Sequence, residues 1–420
     1  MSKVLILLTH CFPYNPPTEQ FLYAELGFLS KKFDRIVLIP TSRMKPKEHL
    51  YSLDFKNVEY AKLNRKSKFE EFSLGFITNA LFRLSFWREC FSILFGPSNG
   101  RKRKMLLLFD GFIKNGGLMS QIKKVLKKDF EIQKNDELLI YSYWFNSNAI
   151  LNVMLKQYLV RNKWSCVKSV SRAHGLGDLY LEYRPRISYL NRNLDGVYAI
   201  SSGGFDFLAK SGIKRKLLAI YRLGVAQRNV DLSIRNEVVE IVSCSMLTEN
   251  KRVYKIIDGL SQITGFQIKW THFGTGELLN DLIEECKTKL PKNIEWYFRG
   301  NVSNESILDY YCKNAPKCFI NVSSIEGIPV SIMEAFSCGI PAIATDVGAT
   351  SEIVEDGRTG FLIDKNFTSK KLADSIIKIC LSEETYSRLK TNAYEKWKTM
   401  YNSTDNYLLF CDKCLKVLDE

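Results

Sequence analysis

The 420-residue chain has no apolar run both long enough and free enough of charge to cross a bilayer. The stretch 72–95 has the length, but Arg83, Arg88 and Glu89 interrupt it. Phe76, Leu81, Phe82, Phe86, Trp87, Phe91, Leu94 and Phe95 crowd around those charges. The stretch reads either as an amphipathic surface at a membrane or as a helix packed in a core with its charges outward. A secretory signal is also lacking, because Lys3-Val4-Leu5-Ile6-Leu7-Leu8 is too short an apolar run and has no small-residue cleavage site. The 11 cysteines, odd in number and scattered, are therefore expected as reduced thiols in the cytosol. Cys411 and Cys414 form a lone Cys-x-x-Cys inside a predicted terminal helix, and without a second ligand pair no metal site is expected. The dinucleotide fingerprint GxGxxG is missing from the first strand-helix turn, where His10-Cys11-Phe12-Pro13-Tyr14 stands instead, which argues against a dehydrogenase. No low-complexity segment or short-period repeat appears.

What is present fits two globular domains. The length exceeds what one core usually supports, and 45% hydrophobic with 25% charged residues supplies two cores and their surfaces. The formal charge of +15 is uneven: residues 45–128 hold 18 Lys and Arg against 7 Asp and Glu. Anionic lipid, nucleic acid and phosphorylated substrates are the partners such a patch suits. No nucleic-acid module accompanies the charge, so nucleic acid is set aside.

Short apolar runs alternate with helical spacing along the whole chain. Strands are expected over 4–9, 35–40, 138–143, 167–171 and 196–201, and the first helix carries Phe21, Leu22, Leu26 and Leu29. After a linker at 226–236 the alternation restarts, with strands over 238–243, 266–273, 294–299, 318–322 and 341–345. Thr248 is placed to cap a helix whose inner face is Val253, Ile256, Ile257 and Leu260. The expected fold is α/β: two Rossmann-like domains, 1–225 and 237–398, with a cleft between them. A C-terminal helix, 399–420, is expected to return to the first domain. Ligands of such sheets lie beyond the carboxyl ends of the strands.

The richest stretch is 323–364. There a strand runs into a loop bearing Glu326 and Gly327. Pro329 suits the first helical position, where its missing N–H costs nothing, and Gly339 and Pro341 end the helix. Free amides at such a helix start, with the dipole behind them, suit a diphosphate. Gly327, Ile328, Pro329 and Val330 would line it. Glu334, just over one turn in, leans back toward the helix start. Its carboxylate only accepts hydrogen bonds, so a ribose diol is an apt partner. Glu326, on the loop, would face the sugar.

Two glutamates seven residues apart in this setting resemble the signature of retaining GT-B glycosyltransferases, particularly glycosyltransferase family 4. Gly339-Ile340-Pro341, Gly348 with Glu352-Ile353-Val354, and the run from Gly357 to Leu362 resemble that family's G-x-P, G-x-x-x-E-I-V and G-x-x-G-x-L. Lys251 stands where the family has a diphosphate-binding lysine, and an ammonium there would offset charge on a departing diphosphate. Met246 replaces the family's arginine, and Arg252 is the candidate substitute. In the first half, Arg172-Ala173-His174-Gly175 with Asp178 and Tyr180 resembles the R-x-H-G-x-D-x-Y of bacterial polysaccharide transferases, with Gly177 as one extra residue. That implies His174 beside the transferred sugar and Arg172 and Asp178 on the acceptor side. Glu19 and Phe21 fit a G-E-x-F variant whose glycines are gone.

The resemblance implies transfer of a hexose-type sugar from a UDP- or GDP-linked donor, with retention and without metal or other cofactor. The catalytic groups would be His174, Glu326 and Lys251, and the acceptor a saccharide, in lipid-linked form, of a surface polysaccharide. The basic, aromatic-rich region implies an anionic membrane surface as partner at the inner face of the cell membrane. A nucleotide-sugar 2-epimerase and a non-catalytic scaffold subunit of the same fold are the alternatives.

Overall fold

The computed structural model describes residues 1–15, 19, 21–42, 47–50, 54–63, 84–96, 101–130, 132–175, 187–229 and 239–420. Contacts along the backbone divide the chain into two compact units. One comprises Met1–Ile200, Gly204–Tyr221 and Tyr407–Glu420, the other Ser201–Gly203 and Arg222–Asn406.

The first unit opens with β1 (Lys3–Thr9), α1 (Phe21–Leu29) and β2 (Arg35–Pro40), followed by β3 (Val58–Tyr60). Next come α2 (Leu84–Phe95), α3 (Arg101–Lys128), β4 (Glu137–Ser142), α4 (Ser147–Arg161) and β5 (Cys166–Ala173). α5 (Ile187–Asn193), β6 (Gly196–Ala199), α6 (Ser202–Lys210) and β7 (Leu218–Ile220) complete the series. The seven strands form a parallel sheet in the order β3-β2-β1-β4-β5-β6-β7. Strand β1 is apolar without interruption from Val4 to Leu8, as a strand covered on both faces requires. Val4, Ile6 and Leu8 enter one core with Leu138 and Ile140, while Leu5 and Leu7 enter another with Leu139 and Tyr141. Each aliphatic side chain buried this way contributes about 1.5–3 kcal/mol.

The second unit repeats the plan. Its elements are β8 (Val239–Cys244), a 3-10 turn at Glu249–Lys251, α7 (Tyr254–Leu260), β9 (Ile268–Phe273), α8 (Leu279–Lys289) and β10 (Ile294–Phe298). They continue as α9 (Asn304–Asn314), β11 (Cys318–Asn321), α10 (Val330–Ser337), β12 (Ala342–Thr345), α11 (Thr350–Ile353) and β13 (Gly360–Ile363). α12 (Ser369–Leu381), α13 (Glu383–Met400) and α14 (Ser403–Asp419) follow. Its parallel sheet has the order β10-β9-β8-β11-β12-β13. In both sheets the strand order reverses beside the first strand of the unit, between β1 and β4 and between β8 and β11. Beyond the carboxyl ends of those strands lies the crevice that binds ligands in doubly wound sheets.

Tyr407–Glu420, the larger part of α14, belongs to the first unit. Phe410, Cys411, Cys414 and Val417 sit in the core that holds Leu5, Leu7 and Val170. The Cys-x-x-Cys is thus buried among apolar side chains, and burial pushes the Cys411 thiol up to about 12. Within the second unit, Val225 is anchored by Trp397 Nε1 donating to its carbonyl at 3.1 Å and by its own N–H donating to Tyr401 at 2.9 Å. A Cβ on Gly224 would fall 2.4 Å from Ser403 Cα, so only glycine lets these segments touch.

Three strands of the two large sheets lie outside the sequence expectations, as does the short antiparallel pair Tyr14–Asn15 with Lys47–Leu50. β3 and β7 are three-residue strands at the ends of the first sheet, half-buried, and too short to show a period. β13, four residues long, overlaps the end of the Gly357–Leu362 motif. Thr248 does not cap α7. Its hydroxyl donates to Asn250 instead, the 3-10 turn intervenes, Arg252 adopts left-handed φ 51°, and α7 starts only at Tyr254. Among the described residues no helix is long and apolar enough to cross a membrane. Part of the expected linker, residues 230–236, lies outside the described residues.

Candidate active site

Lys251 ends the 3-10 turn that follows β8, and Glu326 lies on the loop that follows β11, so both arise at the reversal point of the second sheet. Their side chains meet: Lys251 Nζ donates to Glu326 Oε1 at 2.6 Å, and Asn321 Nδ2 donates to the same oxygen at 3.3 Å. Both remain partly open to solvent, Lys251 at 24% and Glu326 at 12% of the side chain. An ammonium and a carboxylate, each able to exchange its partner for a ligand, are thus held at the crevice mouth.

The two loops are fastened by Arg252, which corrects the expectation that it would contact phosphate. Its Nε donates to the carbonyl of Val322 at 2.8 Å, Nη1 to Lys365 at 2.8 Å and Nη2 to Ser323 at 3.1 Å, and the residue is 7% exposed. A guanidinium with every nitrogen on a backbone carbonyl is a clamp, not a ligand group. Ser324 N–H donates to the Asn250 carbonyl at 2.8 Å and Thr345 Oγ1 to the Ser323 carbonyl at 2.6 Å, tightening the same seam. Gly348, at φ 60°, packs against the Glu326–Gly327 loop so closely that a Cβ would sit 1.8 Å from the Glu326 oxygen. The Ala349 N–H donates to the Gly327 carbonyl at 2.9 Å.

Pro329 is the N-cap of α10, and the helix begins at Val330, one residue later than the sequence suggested. No side chain caps it. Among the described residues, the amides of Gly327, Ile328, Val330 and Ser331 have no acceptor. They stand at the positive end of the helix, a setting suited to an anion. Glu334, one turn further, is half-buried, and Asn304 Nδ2 at the start of α9 donates to its Oε1 at 2.6 Å. Burial pushes its carboxyl up to about 7, against the Asn304 hydrogen bond and the more distant Arg228 charge. Met246, where the family has an arginine, is 67% exposed.

In the first unit, His174 follows β5. Its ring stacks on Tyr143 at 4.0 Å between centroids, with Trp144 at 5.3 Å and Phe21 at 5.9 Å. Burial, reinforced by the Arg172 charge, holds its pKa well below 6.5, so the imidazole is neutral at physiological pH. Two residues assigned to the acceptor side are instead consumed by the fold. Arg172 is fully buried, pairs with buried Glu25 at 2.5 Å, donates to the Tyr221 carbonyl at 2.7 Å and lies over the Phe410 ring. Glu19 accepts from the amides of His10, Cys11 and Phe12, each at 2.8 Å, and from Trp144 Nε1 at 2.6 Å. A carboxylate so surrounded organises the loop after β1 and leaves little for an acceptor. Asp178 lies outside the described residues, as do Pro16, Pro17 and Thr18 of that loop.

The sequence reading missed Asn304, Asn321 and Asn250. Only Asn321, a polar residue at the carboxyl end of an apolar strand, carried a local signal. Asn304 is 30 positions from Glu334 and meets it only through the packing of α9 on α10.

Two doubly wound units, with an ion pair and a bare helix start at the reversal point of the second, define a protein of the GT-B class. Solved structures share this fold over 99% of the chain. Lipopolysaccharide outer core galactosyltransferase WaaB, in its apo form, has a TM-score of 0.67, 14% identity and 99% of its own chain covered. Anabaena Alr3699/HepE in complex with UDP has a TM-score of 0.65, 15% identity and 100% covered. Residues 229–396 match the model of the family described as glycosyl transferases group 1. A putative colanic acid biosynthesis glycosyltransferase, WcaL of Salmonella typhimurium, is 26% identical over 229 residues, 52% of this chain and 56% of that protein. The chain thus matches about half the length of that curated relative.

Proposed function

We propose that this chain is a retaining glycosyltransferase that moves a hexose-type sugar from a UDP- or GDP-linked donor to a saccharide acceptor during surface polysaccharide synthesis. The observation that carries this is the Lys251–Glu326 pair beside the unpartnered amides at Gly327, Ile328, Val330 and Ser331. The amides and Lys251 take the diphosphate, and Glu334 takes the ribose hydroxyls. Lys251, now on Glu326, transfers to the phosphate oxygens when donor enters. That frees Glu326 to orient the sugar hydroxyls. The anomeric carbon's bond to the diphosphate oxygen breaks as its bond to the acceptor oxygen forms on the same face, and the acceptor hydroxyl's proton passes to the departing diphosphate oxygen. Charge building on the leaving group is met by the ammonium and the helix start. This scheme assigns that neutralisation to side chains and amides, with no resident metal or cofactor.

A screen of radiolabelled UDP and GDP sugars against membranes carrying lipid-linked intermediates tests the proposal, and the expected result is label in the lipid fraction. Isomerised donor without acceptor would point to the epimerase. Donor binding undetectable by calorimetry would point to a scaffold.

The acceptor is proposed to be lipid-linked, which places the protein at an anionic inner membrane face. Support comes from α2. Trp87, Phe91, Leu94 and Phe95 fall at helical spacing on one face, and all are exposed, Phe95 by 82%. Cys90 and Ile93 turn inward against Leu108. Exposed Arg101 and Lys102 follow immediately at the start of α3. Sedimentation with anionic vesicles should carry the protein down at low salt, and Trp87→Ala with Phe95→Ala should return most of it to the supernatant.

A further inference from the structure

The second unit carries a thiol pair that the scheme above does not use. Cys312, in the last turn of α9, and Cys338, the C-cap of α10, lie with Sγ atoms 3.5 Å apart. Cys312 is half-buried, whereas Cys338 is 3% exposed. All 11 cysteines are free thiols. The pair joins the two helices that also meet at Asn304 and Glu334, one or two turns away.

We propose that Cys312 and Cys338 form a peroxide-oxidisable dithiol whose closure to a disulfide loosens the grip of Glu334 on the donor, a coupling that rests on the donor-site reading above. Cys312 is the attacking group. A hydrogen bond from the Cys338 thiol holds its pKa below that of an ordinary cysteine, burial opposes this, and the Arg228 charge assists it. Cys338 is held up by the same hydrogen bond and by burial, so it stays protonated until it is engaged.

The step balances with hydrogen peroxide as oxidant. The Cys312 thiolate attacks one peroxide oxygen, the O–O bond breaks, and the departing hydroxide takes a proton to leave as water. This gives a sulfenic acid. Cys338 sulfur then attacks the Cys312 sulfur, the S–O bond breaks, and the hydroxide leaves with the Cys338 proton as a second water. Two thiols are oxidised and one peroxide is reduced. Closure brings the sulfurs from 3.5 Å to about 2 Å. Turning of the two side chains and a shift of the ends of α9 and α10 together take up that difference, and the Asn304–Glu334 hydrogen bond at 2.6 Å lies on the same helix pair.

The test treats the full chain with peroxide in the native state and maps its peptides. A 312–338 cross-link should form ahead of any pairing among the other nine cysteines, and it should be absent in Cys312→Ser. Cys318, hydrogen-bonded to Cys380 but 0% exposed, supplies an internal control that should stay reduced. Overoxidation of Cys312 without a cross-link, or both thiols intact while other cysteines react, would overturn the dithiol. UDP affinity by calorimetry should fall at least threefold on oxidation, recover with dithiothreitol, and not change in peroxide-treated Cys312→Ser. Equal affinity of the reduced and cross-linked forms would overturn the coupling. A cross-link in a protein that binds no nucleotide even when reduced would sink the donor-site reading and the coupling with it, leaving the dithiol standing.

Discussion

At the carboxyl end of β1, the carboxylate of Glu19 is wrapped by three backbone amides and an indole N–H, all from its own unit. At the carboxyl end of β11, beside β8 in the second unit, the carboxylate of Glu326 has one ammonium and one side-chain amide, and the backbone amides beside it face no acceptor among the described residues. Both carboxylates follow a strand beside the point where the order of their sheet reverses, and the use differs. In the first, charged residues near the strand ends are spent on holding the fold. In the second, Arg252 is spent likewise but Lys251 and Glu326 are left exchangeable, and an exchangeable charge beside bare amides is what a ligand needs. A charged residue in a motif therefore says little until its partners are known.

Replacing Arg172 by alanine should break the comparison most visibly if it is wrong. Glu25 would be left buried without its cation, at a cost of about 3–5 kcal/mol in chemical denaturation. A variant of unchanged stability that has lost activity would return Arg172 to the acceptor side. Glu19→Ala removes the acceptor for four donors and should cost about 2 kcal/mol or more, since each buried donor left unmet costs about 1–3 kcal/mol.

In the second unit the order of effects inverts. Lys251→Ala and Glu326→Ala should each cost at least tenfold in turnover, about 1.4 kcal/mol of transition-state binding. Stability should change by less than about 1 kcal/mol, because the pair is partly open to solvent. Near-normal turnover would remove both from the site.

A smaller effect should appear with pH. Burial raises the Glu334 carboxyl from an ordinary 4.5 to about 7. Between those values the folded chain holds a proton that the unfolded chain has lost, so this group's contribution to stability falls as pH rises through that window and is flat above it. Nucleotide affinity should move oppositely, increasing through pH 7 as the carboxylate becomes the acceptor a diol requires. Calorimetry with UDP from pH 5.5 to 8.5 checks it, and Glu334→Gln should flatten the curve. A wild-type curve already flat would mean Glu334 does not touch the nucleotide.

Most of the two sheets was legible because buried parallel strands are continuous apolar runs, and such runs stand out from helical spacing. The ten expected strands all appear, with ends shifted by no more than two residues, as in 167–171 against Cys166–Ala173. The edge strands β3 and β7 did not announce themselves, since three half-buried residues carry no pattern. In the site, Glu326, Gly327 and Glu334 were readable from their spacing around one helix start. Arg252 was misread because its neighbour Lys251 points into the crevice, while the left-handed turn at Arg252 sends the next side chain under the loops.

The sequence alone determined what depends on near neighbours: the strand and helix alternation, the doubly wound plan, the glycine at 348 and, to within one residue, the helix start at Val330. Tertiary structure alone decided which charges are free, because Lys251 and Glu326 are 75 positions apart and Arg172 and Glu25 are 147. Partners so distant are chosen by how the sheets bring strand ends together, and no local pattern along the chain records that choice.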